Sequence, residues 1–127
     1  MLTEQAAPAL QHLSLIDLID HIEATHHQYI RETAPLLVEY TDKMVRAHSD
    51  DHSEIKPLAH AVNELIAELM PHLMKEERIL FPAIKSISLG KTVDGCFGHI
   101  SNPINMMLHE HDNADHMLQT IRNLTNN

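Results

Sequence analysis

Hydrophobic side chains recur every three or four residues along three long stretches of the chain, which is the spacing of one helix face. In the second stretch this apolar stripe is interrupted by two polar residues, His72 and Glu76, four positions apart. A carboxylate in a core position costs too much free energy to be kept without a partner. A metal ion is the simplest partner that satisfies both side chains. The stripe consists of Leu58, Val62, Leu65, Leu69, His72, Glu76, Ile79 and Ala83.

The limits of the first two stretches predict long helices joined by a short polar turn. Ser14 and Asp17 resemble a capping box, so the first helix is expected to begin at Ser14. Its pattern continues to about His48. The second helix is expected to run from about Glu54 to about Ile87. Because the turn between them is short, these two helices are predicted to be antiparallel neighbours.

A third helix is predicted after the loop 90–102, which contains all three glycines and the only cysteine. Asn102 is expected to cap it and Pro103 to occupy its first turn. Pro35 lies inside the first helix and predicts a kink or one unpaired backbone carbonyl, and Pro71 predicts a kink in the second helix. The fold class is therefore all-α, a bundle of three long helices. The expected inward positions are Ile16, Ile19, Ile30, Ala34, Leu37 and Met44 in the first helix, and Ile104, Met107, His111, Ala114, Leu118 and Ile121 in the third.

Composition narrows the class of protein. The chain has 127 residues with 3 Gly and no Trp, which suits one helical domain spanning 1–127. The formal net charge of −9 argues against nucleic acid and against an anionic membrane surface as partners. No apolar run approaches the roughly 20 residues of a membrane span. The single cysteine, Cys96, and the lack of a visible secretory signal predict a cytoplasmic protein.

Twelve histidines are the outlier in this composition, and helix geometry selects among them. In an antiparallel hairpin that turns near residue 51, His27 lies at a height similar to that of His72 and Glu76. His111 lies on the apolar stripe of the third helix. These four residues are predicted to face one interior point and to form a metal site of imidazole and carboxylate ligands. His48 is excluded, because it is too far from His27 along a continuous helix.

Simpler interpretations exist for each of these positions. His72 and Glu76 form a plain hydrogen-bonded core pair in one alternative, and His111 is a structural core histidine in another. His26 fits the stripe of the first helix about as well as His27 does. Glu110 is either an outer residue that orients a ligand or a surface carboxylate, and surface exposure is the preferred interpretation.

Several segments together resemble the hemerythrin-like di-iron proteins, most closely the repair-of-iron-centres (Ric) proteins of the bacterial nitrosative and oxidative stress responses. A histidine and a glutamate four residues apart, followed by Leu-Phe-Pro, are the most specific part of this resemblance. The ordered segments cover about residues 14–125, nearly the whole chain. They are His27-Gln28-Tyr29-Ile30-Arg31-Glu32, His72-Leu73-Met74-Lys75-Glu76-Glu77, Leu80-Phe81-Pro82, Pro103-Ile104 and Glu110-His111-Asp112.

The resemblance implies a non-haem di-iron centre, with zinc or manganese as possible substitutes. It implies that His27, His72 and His111 are metal ligands and that Glu76 is a bridging carboxylate. The family's fourth helix, with a second His-x-x-x-Glu, and the short cysteine-bearing domain that often precedes its bundle have no counterpart here. A truncated bundle is therefore expected to expose an apolar groove, and pairing of two chains is the hypothesis for what covers it.

For function, the resemblance implies iron delivery to apo or damaged iron–sulfur proteins, or the handling of nitric oxide, rather than conventional enzyme catalysis. A reversible oxygen or nitric oxide sensor or carrier of the hemerythrin type is the first alternative. A structural or regulatory helical module, with zinc or without metal, is the second.

Overall fold

Three long helices make up the structure, a computed structural model that describes residues 10–91 and 99–126. No strand occurs in these two ranges. Helix one, residues 15–48, consists of Leu15–His21, a π-helical segment Ile22–His27, and Gln28–His48. Helix two, residues 55–88, consists of Ile55–Lys75, a π-helical segment Glu76–Leu80, and Phe81–Ser88. Helix three is Ser101–Leu124. The predicted all-α class and its three long helices are confirmed.

The start of helix one agrees with the sequence, whereas the start of helix three does not. The Ser14 side chain accepts a hydrogen bond of 3.1 Å from the backbone N–H of Asp17, as a capping residue does. Helix three begins one residue before Asn102, and its cap is Ile100, which makes no side-chain hydrogen bond. Asn102 is therefore not the cap. Pro103 still falls in the first turn, where a missing N–H costs nothing.

The π-helical segments are the feature that the sequence pattern did not predict. Each adds one residue to a helical turn, so that a backbone N–H reaches five residues back. Phe81 donates in this way to the carbonyl of Glu76, and Gln28 donates to the carbonyl of Glu23. The extra residue rotates all later side chains of the helix by about 100° about the helix axis, relative to an uninterrupted α-helix.

One consequence is a correction to the predicted core of helix two. Ile79, expected to face inward, is 43% exposed, whereas its neighbour Leu80 is only 6% exposed. The π-helical segment moves Leu80 into the position that Ile79 has in a regular helix. Leu80 then packs in a buried cluster with Phe81 of helix two, Ile19 of helix one and Met107 of helix three.

Helix two is the central element of the bundle. The start of helix one packs on the end of helix two, and the remainder of helix one packs along its first part, so the two are antiparallel. Helix three packs along the other side of helix two. Among the described residues, the direct contacts between helices one and three are sparse, and the cluster with Ile19 and Met107 is where their buried side chains meet.

Some predicted core positions are exposed as a result of this arrangement. Leu37 and Met44 of helix one and Ile104 and Leu118 of helix three are 36–41% exposed. Their helical spacing is that of a core stripe, but the described part of the chain leaves more than a third of the surface of each of these residues exposed. The structure also contains, within the two described ranges, no helix long and apolar enough to cross a membrane.

Candidate metal centre

Three donor atoms converge between helices two and three. The Nε2 atom of His72 lies 2.9 Å from Oε1 of Glu76 and 3.0 Å from Nε2 of His111. All three residues offer ligand atoms within 4.8 Å of one another, and they are the one such group of His, Cys, Asp and Glu found in residues 10–91 and 99–126. His72 is buried, Glu76 is partly buried, and His111 is exposed on its outer side.

His27 approaches the same point from helix one. The residue is 4% exposed, and its Nε2 atom lies 3.6 Å from Oε1 of Glu76. Its ring stacks on Phe81, with centroids 5.7 Å apart and an angle of 17° between the planes. The Glu76 oxygen therefore lies between two buried imidazoles, those of His27 and His72.

The opposite edges of these two rings face carboxylates. The Nδ1 atom of His27 lies 3.1 Å from Oε1 of Glu77, and the Nδ1 atom of His72 lies 2.5 Å from Oε2 of Glu110. A carboxylate opposite Nδ1 favours the ring proton on Nδ1, so that the lone pair is on Nε2. This is the outer partner that metal-bound histidines commonly have.

These contacts bring several electron-pair donors together at one point, where a metal ion would be bound. With the proton of His72 on Nδ1, its Nε2 lone pair faces the carboxylate oxygen of Glu76 and the ring nitrogen of His111. Lone pairs at about 3 Å repel each other unless a cation or a proton lies between them. Two imidazoles and a carboxylate form a donor set that suits iron and also zinc. The residues present therefore fit a metal ion.

Two basic side chains keep the outer carboxylates ionised. Arg31 hydrogen-bonds both oxygens of Glu77, which holds the pKa of that carboxyl group below its usual value although burial opposes this. Burial raises the pKa of Glu110, but the hydrogen bonds from Lys75, at 2.7 Å, and from His72 outweigh it. The net pKa of Glu110 is therefore lowered, and both carboxylates are charged at neutral pH.

The π-helical segments place the donors. His27 is eight residues after Ile19, a separation that in a regular helix puts the two about 80° apart. The extra residue in Ile22–His27 brings His27 back to the buried face of Ile19. His26, which a regular helix would place there, instead has its ring 5.7 Å from that of His21. The second segment begins at Glu76, and within it Glu76 faces the Nε2 atoms of His72 and His27 while Glu77 faces Nδ1 of His27.

The structure thus brings together all four residues selected from the sequence, His27, His72, Glu76 and His111. His111 differs from expectation because it is exposed on its outer side rather than fully inward. The preferred interpretation of Glu110 as a surface carboxylate is wrong, because its side chain is 27% exposed and contacts His72. His48 lies away from the centre, as predicted, with its ring 6.4 Å from that of His52. Cys96 falls outside the described residues.

Sequence reasoning assigned no role to Arg31, Lys75 and Glu77. Their positions next to candidate ligands are informative but ambiguous, since charged residues beside a ligand usually lie on the solvated surface of a helix. Arg31 lies four residues after His27 and Lys75 three residues after His72, so each cation shares a helix face with a candidate ligand. That spacing alone does not show that a carboxylate from a neighbouring helix lies between them.

The fold and the site define the class as a helical-bundle protein with a histidine and carboxylate metal centre between its helices. Residues 17–127 match the family model of the hemerythrin HHE cation binding domain. The chain belongs to this family.

Curated proteins that are similar to the chain in sequence support its membership of this family. The chain is 40% identical over 113 residues to the iron-sulfur cluster repair protein YtfE of Citrobacter koseri, which covers 89% of this chain and 48% of that protein. It is 37% identical over 123 residues to the protein of the same name from Cronobacter sakazakii, covering 97% and 49%. The YtfE protein of Escherichia coli strain K12 is 39% identical over 113 residues. The predicted resemblance to the repair group is confirmed, and the chain spans about half the length of these curated relatives.

Proposed function

We propose that this chain binds iron and acts in the repair of iron–sulfur clusters under nitrosative and oxidative stress. The observation that carries the proposal is the convergence of His72, Glu76 and His111 within 4.8 Å of one another. The names of the relatives, iron-sulfur cluster repair proteins, indicate which use of iron to test first. Apo or damaged iron–sulfur proteins are the expected recipients, and the net charge of −9 disfavours nucleic acid.

A di-iron centre is the form of the site that we propose. It is supported by the position of the Glu76 oxygen, 2.9 Å from Nε2 of His72 and 3.6 Å from Nε2 of His27. One carboxylate between two imidazoles from different helices suits a bridging ligand, with His27 on one side and His72 with His111 on the other. When bound, iron supplies a Lewis-acidic redox centre.

Release of iron to a recipient requires a site that opens without unfolding of the bundle. His27 and His72 are buried, whereas His111 belongs to helix three and is exposed. Helix three also borders an open groove of about 430 Å³ beside His72. The side of the site formed by helix three is therefore the side from which an ion is most easily handed over.

The test is to load the purified chain with ferrous iron without oxygen and to measure iron per chain by elemental analysis. The loaded chain is then incubated with an apo iron–sulfur enzyme and a sulfide source, and the recovery of that enzyme's activity is followed. The proposal predicts that the chain binds iron. It also predicts that the activity of the enzyme recovers faster than in a control that contains the same amount of free iron and the Glu76→Ala variant. Bound iron without any recovery contradicts the repair function.

A second function, reversible binding of oxygen or nitric oxide, is favoured by the exposure of His111 at the edge of the centre. A small diatomic molecule needs an open position beside the ligands, and this side offers one. A reversible change in the visible spectrum of the iron-loaded chain on exposure to either gas, without iron transfer, supports this alternative. A colourless protein that takes up stoichiometric zinc and no iron supports a structural module instead.

Pairing of two chains is also part of the proposal. Four residues at helical spacing on helix three, Ile104, Leu108, His111 and Leu118, form one exposed stripe, here called the helix-three stripe. Its apolar members are 36–56% exposed. A twofold dimer buries such a stripe against its own copy and brings side chains of the second chain close to His111.

A cytoplasmic location remains a prediction based on the single cysteine.

A further inference from the structure

Two charged networks lie around the candidate ligands and have the same order of groups. Arg31 contacts Glu77, and Glu77 contacts Nδ1 of His27. Lys75 contacts Glu110, and Glu110 contacts Nδ1 of His72. In both, a cation holds a carboxylate and the carboxylate holds the outer edge of a buried imidazole. Each set of three residues is called a clamp below.

We propose that Glu77 and Glu110 are positioning residues, each of which fixes one histidine with its proton on Nδ1 and its Nε2 directed at Glu76. The proposal deepens the proposed metal-binding function, on which it rests, by naming the residues that prepare the site for an ion. Neither carboxylate is placed among the ligands.

The first clamp joins helix one to helix two. Its histidine, His27, belongs to helix one, and Glu77 belongs to helix two, with Nδ1 and Oε1 3.1 Å apart. Arg31 binds Glu77 through two nitrogens, with 2.8 Å from Nη1 to Oε1. Such a two-point contact fixes the carboxylate plane as well as its position. With Phe81 stacked against its ring, His27 is held in one orientation.

The second clamp joins helix two to helix three. Glu110 of helix three approaches Nδ1 of His72 to 2.5 Å, and its other oxygen lies 2.7 Å from Nζ of Lys75. Lysine has one charged nitrogen rather than a planar fork, so it holds the carboxylate at one oxygen only. The Lys75 side chain is also 42% exposed. The cation of this clamp therefore holds its carboxylate less firmly than Arg31 holds Glu77, and the clamp lies on the side formed by helix three.

The clamps explain how donors that repel one another stay together. Both buried rings direct lone pairs toward Glu76, which on its own favours separation of the helices. Each clamp opposes this with a charge-assisted hydrogen bond that crosses between helices. If the carboxylates served only to pair with Arg31 and Lys75 and to hold the helices together, their removal would leave the ring proton of each histidine where it is. The tautomer of each histidine is therefore the property that separates positioning from plain stabilisation.

The first experiment measures these tautomers in the metal-free 127-residue chain by two-bond ¹H–¹⁵N correlation of labelled histidine at alkaline pH. The parent chain is expected to carry the proton on Nδ1 in both His27 and His72. Glu77→Gln should change the signal of His27 and leave His72 unchanged, and Glu110→Gln should do the reverse. Protonation on Nε2 in the parent, or variants that leave both signals unchanged, overturns the proposal.

The second experiment measures Zn²⁺ affinity by competition with a chromophoric chelator. Each Gln variant is expected to bind Zn²⁺ about 10- to 100-fold more weakly than the parent, the loss typical of an outer partner of a ligand histidine. Glu39→Gln is the matched control, because Glu39 pairs with Lys43 on the exposed surface of helix one. It should keep the parent affinity. Parent affinity in both Glu77→Gln and Glu110→Gln contradicts the proposal.

The two experiments separate this inference from the proposed function. A parent chain that binds neither iron nor zinc refutes the metal site, whereas the tautomers of His27 and His72 still decide whether the clamps position the rings. Circular dichroism checks that each variant folds. If Glu77→Gln does not, Glu110→Gln carries the test alone, since its more exposed clamp is less needed for folding.

Discussion

The Nε2 atom of His72 lies 2.9 Å from Oε1 of Glu76, one turn further along helix two. The same oxygen faces His27 across the bundle, so Glu76 is the anionic donor shared by both buried imidazoles. Glu76→Ala is therefore expected to lower bound iron by at least about tenfold, because it removes the negative charge that offsets the charge of an ion. Elemental analysis after loading and desalting measures the loss.

The control for this variant is Glu64→Ala. Glu64 lies on the same helix and is exposed, and within residues 10–91 and 99–126 its ion pair is with His60, at 3.7 Å. Both variants should keep the helicity of the parent chain by circular dichroism. Iron content in Glu76→Ala equal to that of Glu64→Ala would rule out the shared-donor role.

Two adjacent histidines in helix one offer a sharper comparison. His27 is 4% exposed and faces Glu76, whereas His26 is directed toward His21. His27→Ala is expected to reduce iron bound per chain, because it removes the only imidazole that helix one contributes near Glu76 in the described structure. His26→Ala should bind as much iron as the parent. Equal losses in the two variants would place the donor of helix one elsewhere.

The rotation that the π-helical segment imposes on helix two predicts a difference in stability. Leu80 is 6% exposed and packs in the buried cluster, while Ile79 is 43% exposed. Leu80→Ala should lower the free energy of unfolding by about 2–5 kcal/mol, as buried leucine truncations do. Ile79→Ala should change it by no more than about 0.5–1 kcal/mol. Urea denaturation followed by circular dichroism measures both values, and a larger loss for Ile79→Ala would contradict the π-helical register.

The register of the helices and the positions of the candidate ligands show which features sequence periodicity predicts and which it misses. It predicted the three helices and brought His72 and Glu76 together, because residues four apart share a helix face whatever surrounds them. It placed Ile79 in the core incorrectly, because an inserted π-helical residue leaves no mark in the spacing of apolar residues. It left His26 and His27 undecided for the same reason.

The roles of Glu77 and Glu110 were beyond reach for a different reason. Each contacts a histidine that is 38 or 50 residues away in the sequence. Such contacts depend on the rotation and height of two packed helices, which local patterns do not determine. A charged residue next to a candidate ligand looks the same in sequence whether it is solvated or buried against an imidazole.

The exposed apolar residues of helix three lead to the last prediction, which concerns association of the chain. The helix-three stripe has the spacing of a core face, yet Leu108, one turn before His111, is 56% exposed. If two chains bury this stripe against each other, Leu108→Glu should shift a dimer to monomer, because burying an unpaired carboxylate in an apolar contact is costly. Sedimentation velocity across micromolar concentrations measures the change.

Met106→Glu is the matched control for association. Met106 is 55% exposed, nearly the same as Leu108, but it lies two residues earlier and on another face of helix three, beside the groove next to His72. The added charge is the same, so any general effect of charge on solubility affects both variants alike. A dimer in Met106→Glu and a monomer in Leu108→Glu would locate the contact at the stripe. A parent chain that stays monomeric at every concentration would show that the stripe does not pair with its own copy, and that the ligands of the centre come from one chain.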